Sequence, residues 1–285
     1  MKTYPDCIPC FQRQALQAAR FISDEPELLE SVLRGTMKCL SSMKWDTSPM
    51  LMANKVHSLV RDELGGVDPY QGVKKASNDI ILKKYDELKK IVDDSSEPVN
   101  TAIRLSIAGN IIDYGAMNDF DLDRTISDVL NKDFTVDCRT EMLNSLETKK
   151  SIMYLADNAG EIVLDKLFLE TLSNHYDINK VLFVVKKTPF INDATLEDAK
   201  YAGLDELEYI EFVEAGIQEK GMKIYSEDFY NLINSAGTVI SKGQGNYEAM
   251  SAVDGIFHML IIKCPVVSAD IELPQGDIVV WRKDA

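Results

Sequence analysis

Apolar residues follow different spacings in the two halves of the chain. In the first half they recur every three or four positions, as at Phe11, Ala15, Ala18 and Ile22. This spacing places them on one face of an α-helix. The pattern predicts one helix after another from about residue 6 to residue 145.

The pattern changes near Lys149, where short apolar runs begin to alternate with helical segments. Such alternation predicts βαβ units and a mostly parallel sheet. The chain is therefore predicted to be an α/β protein with a mainly α-helical domain, 1–147, packed closely on an α/β domain, 148–285. The predicted strands are 151–156, 181–185, 207–213, 238–241, 256–262 and 277–281, and the predicted helices between them are 161–172, 196–202 and 228–234.

Composition and charge narrow the possible partners. The chain has 285 residues, 45% of them hydrophobic, and a formal net charge of −15. Such a charge disfavours a broad nucleic-acid-binding face, although a local cation and lysine can still bind a small anion. No apolar run reaches the ~18–20 residues of a membrane span, and the N-terminus lacks the apolar stretch of a secretory signal. We expect a cytoplasmic protein with no membrane partner.

Polar residues directly follow the first predicted strand of the α/β half. Asp157 and Asn158 offer a carboxylate and an amide oxygen, the ligands that hard cations prefer, just where a helix begins. The N–H groups of that helix terminus would also suit a phosphate. Alternatively, Asn158 and Glu161 form a helix-capping box with no further function. Both interpretations remain open on this segment alone.

Two later strands also end in polar residues. Asp193 follows the second strand and could supply another carboxylate, or it could be an ordinary helix N-cap. A later strand ends at Lys242, and Gly243 and Gly245 would let the backbone approach a ligand. Since strand ends of a parallel sheet share one edge, we expect one cation held by Asp157, Asn158 and Asp193 beside Lys242.

These segments, taken in order, resemble the damage-control phosphatase family, also known as domain of unknown function 89. The resemblance covers nearly the whole chain. It is carried by Asp157-Asn158-Ala159-Gly160-Glu161, Asn192-Asp193, Lys242-Gly243-Gln244-Gly245-Asn246-Tyr247-Glu248, Ala108-Gly109-Asn110-Ile111-Ile112-Asp113-Tyr114-Gly115 and Pro5-Asp6-Cys7-Ile8-Pro9-Cys10, the last of which is similar to the stand-alone prokaryotic branch.

The resemblance implies a helical domain on a three-layer α/β/α Rossmann-like domain. It also implies a hydrolase of phosphate monoesters, such as sugar phosphates and damaged or surplus metabolites, that depends on magnesium, manganese, cobalt or nickel. The family's metal ligands fall on Asp157, Asn158 and Asp193, and its phosphate-binding lysine falls on Lys242. Residues expected to contact substrate are Glu161, Asn110, Asp113, Gly243, Gly245, Asn246 and Glu248.

Two other features of the helical half carry alternatives. Asn110 and Asp113 lie three residues apart on one helix face, where they either reach a substrate across a cleft or simply end the helix. Cys7 and Cys10 form a CxxC pair without a second pair to complete a zinc site, so a structural role, such as a disulfide, is expected. Cys264 is expected to be a core residue.

Three functional classes follow from the sequence. A metal-dependent phosphatase is favoured. A Rossmann-like transferase, such as a methyltransferase, would need a glycine-rich first loop, whereas this loop has Gly160 flanked by acidic residues. A non-catalytic metal- or metabolite-binding module is the third class. For a phosphatase, Asp157 either attacks phosphorus or only holds the cation, and its pairing with Asn158 favours the second role.

Overall fold

The computed structural model describes residues 1–109, 119–218 and 224–283, with the backbone alone for 119–122. The strands are β1 Phe134–Asp137, β2 Ser151–Leu155, β3 Lys180–Lys186, β4 Ile210–Ala215, β5 Thr238–Lys242, β6 Ile256–Ile261 and β7 Ile278–Trp281. The helices are α1 Cys7–Arg20, α2 Pro26–Ser42, α3 Pro49–Glu63, α4 Gln71–Lys83, α5 Tyr85–Asp93, α6 Pro98–Gly109, α7 Asp119–Asn131, α8 Arg139–Lys149, α9 Glu161–His175, α10 Leu196–Tyr201, α11 Glu227–Ser235, α12 Gly243–Met250 and α13 Pro265–Ile271.

The seven strands of the described ranges form one sheet in the order β1-β7-β6-β5-β2-β3-β4. Neighbouring strands are parallel except for β6 and β7, which are antiparallel. The chain builds outwards from β2 to β3 and β4, then returns to place β5 on the other side of β2. This reversal creates a switch point between β2 and β5, where open α/β sheets bind ligands.

Helices cover both faces of this sheet, which confirms the predicted three-layer α/β fold. Successive side chains of a strand point to opposite faces. Ile152 and Tyr154 accordingly join a core that includes α5, α6 and α9, while Met153 and Leu155 join a core that includes α1, α3 and α11. The N-terminal helices thus share both cores with the sheet. The boundary at residue 147 stays a prediction.

One prediction about local structure was wrong. The helical half contains a strand, β1, which pairs in parallel with β7 at the edge of the sheet. Its four residues, 134–137, are too short to give a clear period-two pattern. Gly243 and Gly245, expected to let the backbone approach a ligand, lie in the first turn of α12, and Gly243 has a φ of +75°. Among the described residues, no helix is long and apolar enough to cross a membrane.

One buried histidine lies in the sheet without a described polar partner. His258 of β6 is 0% exposed, and neither ring nitrogen hydrogen-bonds to a described residue. Its ring instead contacts Tyr247 and Trp281, with centroids 5.4 and 5.7 Å away. Burial lowers the pKa of His258 from 6.5 to about 3, so the folded protein keeps this ring neutral.

Replacing His258 with Leu should therefore reduce the sensitivity of the fold to acid. Below pH 6.5 the His258 ring is protonated in the unfolded chain but stays neutral in the folded protein. This histidine therefore lowers the free energy of unfolding as the pH falls from 6.5 towards 3. Between pH 7 and pH 5 the wild type should lose about 2 kcal/mol more unfolding free energy than His258→Leu. Urea unfolding of both proteins at the two pH values measures this difference, and equal losses would contradict the assignment.

Candidate active site

The polar residues predicted at three strand ends meet at the switch point of the sheet. Backbone hydrogen bonds join the segments that follow β2 and β3: Ala194 N donates to Asp157 O at 2.7 Å, and Ala159 N donates to Asn192 O at 2.9 Å. Asn158 and Asp193 also form an isolated antiparallel bridge. The structure thus brings together two segments that lie far apart in sequence.

Capping explains these residues in part, since Glu161 Oε2 accepts a hydrogen bond from Asn158 N at 3.4 Å, as in one half of a capping box. The N-cap of α9 is Gly160, which makes no side-chain cap, and the N-cap of α10 is Thr195, which forms a capping box with Asp198. Asp193 is therefore not the cap of α10. The backbone N–H groups at the start of α9 were expected to suit a phosphate. One of them already has a protein partner, since Gly160 N donates to Asn78 Oδ1 at 2.6 Å.

The Asp157 carboxylate packs directly against the backbone of Gly243, at the start of α12. A Cβ on Gly243 would lie 1.8 Å from Asp157 Oδ2. On its other side, Asn158 Nδ2 donates to Asp157 Oδ2 at 2.8 Å and to Glu161 Oε2 at 3.2 Å. A glycine at position 243 is therefore required for Asp157 to occupy its place, which explains why the motif has Gly there.

Burial and mutual repulsion disfavour the charges of the carboxylates. The pKa of Asp157 is raised well above its usual value, first by burial and then by the charges of Asp193 and Glu161. Burial also raises the pKa of Asp193 to about 6, although Lys186 opposes the shift. The pKa of Asp165 is raised to about 6 for the same first reason, with Lys242 opposing. Without a further cation, these groups hold protons more readily than exposed carboxylates do.

Lys242 lies beneath the cavity described below and does not form part of its wall. Its side chain is 0% exposed. Nζ donates to Ser106 O at 3.0 Å, Glu161 Oε1 at 2.8 Å and Asp165 Oδ1 at 2.6 Å. Since an ammonium has three N–H donors, these partners engage all of them. The predicted contact of Lys242 with phosphate stays a prediction, and the described contacts are with the protein itself.

A second buried lysine ends β3. Lys186 Nζ donates to Tyr225 OH and to Asn246 Oδ1, both at 3.1 Å, and lies 3.3 Å from Asp193 Oδ2. Asn246 Nδ2 in turn donates to Ala156 O and Lys242 O, each at 2.9 Å. Asn246 therefore ties the ends of β2, β3 and β5 together. We call Asp157, Glu161, Asp165, Asp193, Lys186 and Lys242 the buried charge cluster.

A cavity of about 520 Å³ opens above this cluster. Asp157, Asn158 and Asp193 line it, together with Gly245 and Lys263. Lys263 follows β6, and Gln244 Oε1 holds its loop by accepting Lys263 N at 2.7 Å and Cys264 N at 3.0 Å. The structure therefore adds Lys263, which the sequence analysis overlooked, as a cation on the cavity wall.

The far wall of the cavity contains an acid and three thiols. Burial raises the pKa of Glu248 to about 7, against the opposing charge of the N-terminal amine. Cys7, Cys10 and Cys264 line the same wall, so Cys264 is not the core residue that was expected. All are free thiols, and burial raises the pKa of Cys7 and Cys10. The disulfide between Cys7 and Cys10 stays a prediction.

The predicted substrate-binding residues fall into three groups. Gly245 and Glu248 line the cavity. Glu161 and Asn246 are buried below it, and Gly243 supports Asp157. Asn110 and Asp113 lie outside the described residues, so their predicted roles stay predictions.

The residues that line the cavity floor fit a hard divalent cation by their chemistry. They offer two carboxylates, Asp157 and Asp193, and the amide oxygen of Asn158. Asp193 Oδ2 is buried and lies 3.3 Å from Lys186 Nζ as an ion pair, with no hydrogen bond to a described residue. No group of three or more His, Cys, Asp or Glu side chains in the described ranges is arranged to hold a metal. An amide oxygen would therefore have to complete the ligand set with the two carboxylates.

Fold and site together define an α/β enzyme-like protein whose polar centre lies beyond the strand ends of a Rossmann-like sheet. Residues 3–279 match the damage-control phosphatase ARMT1-like domain, and the chain belongs to this family.

Similar proteins span the same length. A damage-control phosphatase of Archaeoglobus fulgidus is 30% identical over 288 residues, covering 98% of each chain. One of Pyrococcus horikoshii is 27% identical over 286 residues, covering 99% of this chain and 98% of the relative. The crystal structure of a DUF89 family protein from Pyrococcus horikoshii superposes with a TM-score of 0.88 at 26% identity, covering 99% of both chains. These relatives support a phosphatase role.

Proposed function

We propose that this chain is a metal-dependent phosphatase that hydrolyses phosphate monoesters of small metabolites. The observation that carries the proposal is the meeting of Asp157, Asn158 and Asp193 at the cavity floor, where two carboxylates and an amide oxygen offer the ligands that a hard divalent cation prefers. Membership of a phosphatase family supports the reaction class.

Asp157, Asn158 and Asp193 would hold the cation. When bound, it would supply Lewis-acid stabilisation to a phosphoryl group. The protein keeps these ligands in place from below, because Gly243 fits against Asp157 and Lys186 lies beside Asp193. Asn158 is oriented through the hydrogen bonds that its Nδ2 donates to Asp157 and Glu161.

Lys263 and Lys242 would have different roles, one in contact with the substrate and one in contact with the protein. Lys263 lines the cavity and would donate to a phosphoryl oxygen and offset its charge. Lys242 would keep Glu161 and Asp165 in place without contacting the substrate, since its donors already bind protein groups. This division moves the phosphate contact from the lysine predicted by resemblance to the one on the wall.

The remaining cavity walls suit a small phosphorylated metabolite. Glu248 and Gln14 can hydrogen-bond to hydroxyl or amino groups of a substrate, while Phe11 and Phe190 provide apolar contact. The volume of about 520 Å³ is within the range of small-molecule sites.

The reaction class is tested by phosphate release from an aryl phosphate. Metal-stripped protein should release little phosphate, and added Mg²⁺ or Mn²⁺ should restore turnover. Asp193→Asn, purified in parallel, controls for contaminating phosphatases and should stay inactive with either ion. Equal turnover with and without a chelator would contradict metal dependence, and no turnover on any phosphate monoester of a broad panel would contradict the reaction.

Replacing Lys263 with Ala should raise KM and the inhibition constant for inorganic phosphate at least tenfold, with the metal-free fold retained. This equals a loss of at least about 1.4 kcal/mol of phosphate binding.

Lys242→Met should instead destabilise the fold by about 3–5 kcal/mol, because it leaves two buried carboxylates without their cation. Phosphate inhibition and urea unfolding, measured on both variants, would contradict the division of roles if Lys242→Met alone weakened phosphate binding.

A further inference from the structure

The Lys186 side chain is buried outside the lining of the proposed substrate cavity. It is 5% exposed. Its ammonium lies within 3.3 Å of three protein oxygens, those of Tyr225, Asn246 and Asp193. The oxygens of Tyr225 and Asn246 accept hydrogen bonds from it, and the Asp193 oxygen forms an ion pair with it. It is therefore a fixed positive charge placed behind one of the proposed metal ligands.

A fixed charge at this position acts most strongly on the ion that Asp193 would hold. Two like charges a few ångströms apart repel in proportion to the product of their charges. A trivalent ion is therefore disfavoured more than a divalent ion by the same lysine. The comparison of two ions cancels effects that both share, such as a displaced ligand or competition from protons.

We infer that Lys186 is a specificity-determining residue that makes the site selective for divalent over trivalent cations. Replacing Lys186 with a neutral residue removes one positive charge beside Asp193 and makes the surroundings of the cation one unit more negative. The inference rests on the proposed function, because it requires that Asp157, Asn158 and Asp193 hold a cation.

The test compares calorimetric titrations of metal-free protein with MnCl₂ and with LaCl₃. Lys186→Met should raise the affinity for La³⁺ relative to Mn²⁺ at least tenfold. Lys186→Arg, which keeps the charge, should leave the ratio within about twofold of the wild type. Lys166→Met is the matched control, since Lys166 is 9% exposed and pairs with Glu206 outside the cavity lining. It should also leave the ratio unchanged.

A second substitution, which removes a negative charge instead of a positive one, tests the inference even if Lys186→Met does not fold. Asp165→Asn removes one negative charge from the same cluster without touching a proposed ligand, and it should lower the relative affinity for La³⁺. Lys186→Gln provides a second neutral side chain that can still hydrogen-bond.

The outcomes separate this inference from the proposed function. An unchanged ratio in Lys186→Met or Lys186→Gln, or an equal shift in Lys186→Arg, would overturn the selectivity role while leaving metal binding intact. A wild type that binds neither ion would overturn the proposed metal site and this inference with it.

Discussion

Replacing Asp157 with Asn is expected to lower kcat at least a thousandfold. The carboxylate lies at the switch point of the sheet, lines the cavity and would hold the cation. A charge contact that stabilises a transition state is worth several kcal/mol, and about 4 kcal/mol corresponds to a thousandfold in rate. Steady-state phosphate release with saturating Mn²⁺ measures the loss.

The same substitution should leave the metal-free fold at least as stable as the wild type. Burial and repulsion raise the pKa of Asp157 well above its unfolded value. The carboxylate therefore removes stability as the pH rises from its unfolded pKa of 3.8 towards its folded pKa, and a neutral Asn does not. Urea unfolding at pH 7 and above checks this. A variant that is inactive because it is unfolded would contradict the account, as would one that keeps more than a tenth of the activity.

Gly243→Ala is expected to lower activity at least a hundredfold and to destabilise the protein. The added Cβ would lie 1.8 Å from Asp157 Oδ2, and the backbone φ of +75° is strained for any L residue. Either Asp157 or the start of α12 must move. Misplacing a reacting group by about 1 Å can cost a hundredfold in rate. Turnover and urea unfolding, measured together, give both effects.

Gly255→Ala is a control that separates the steric clash with Asp157 from the backbone strain at a positive φ. Gly255 has a similar φ of +80°, but a Cβ there would meet nothing within 4 Å. This variant should lose about 1 kcal/mol of stability and keep its turnover. Equal losses of turnover in the two variants would show that the contact between Gly243 and Asp157 has no special role.

The sequence predicted the fold from particular patterns. Continuous apolar runs marked β2, β3, β5 and β6 because both faces of these central strands are buried. The edge strand β1 was missed, since its alternation of partly buried and exposed positions covers only four residues. A strand that pairs with a partner more than a hundred residues away cannot be recognised from local spacing alone.

The predicted site was incomplete because it left out polar residues at the carboxyl ends of two further strands, β3 and β6. Lys263 follows β6, whose carboxyl end lies at the same edge as that of β5. Lys186 ends β3 and was not considered as part of the site; the structure buries it and exposes the adjacent Lys187. The depth of Lys242 depends on Ser106, Glu161 and Asp165, which approach it from helices of both halves. Such burial is a tertiary property that its motif does not encode.

The most direct test of the proposed function is a titration of metal-stripped protein with Mn²⁺, in which bound ion and phosphate release are followed in the same sample. The account predicts one tightly bound ion per chain, with turnover rising in parallel and reaching its plateau at one equivalent. Asp193→Asn should lose both signals. Full turnover before any ion is bound, or one bound ion per chain in Asp193→Asn at wild-type affinity, would contradict the claim that these strand ends form a metal-dependent phosphatase site.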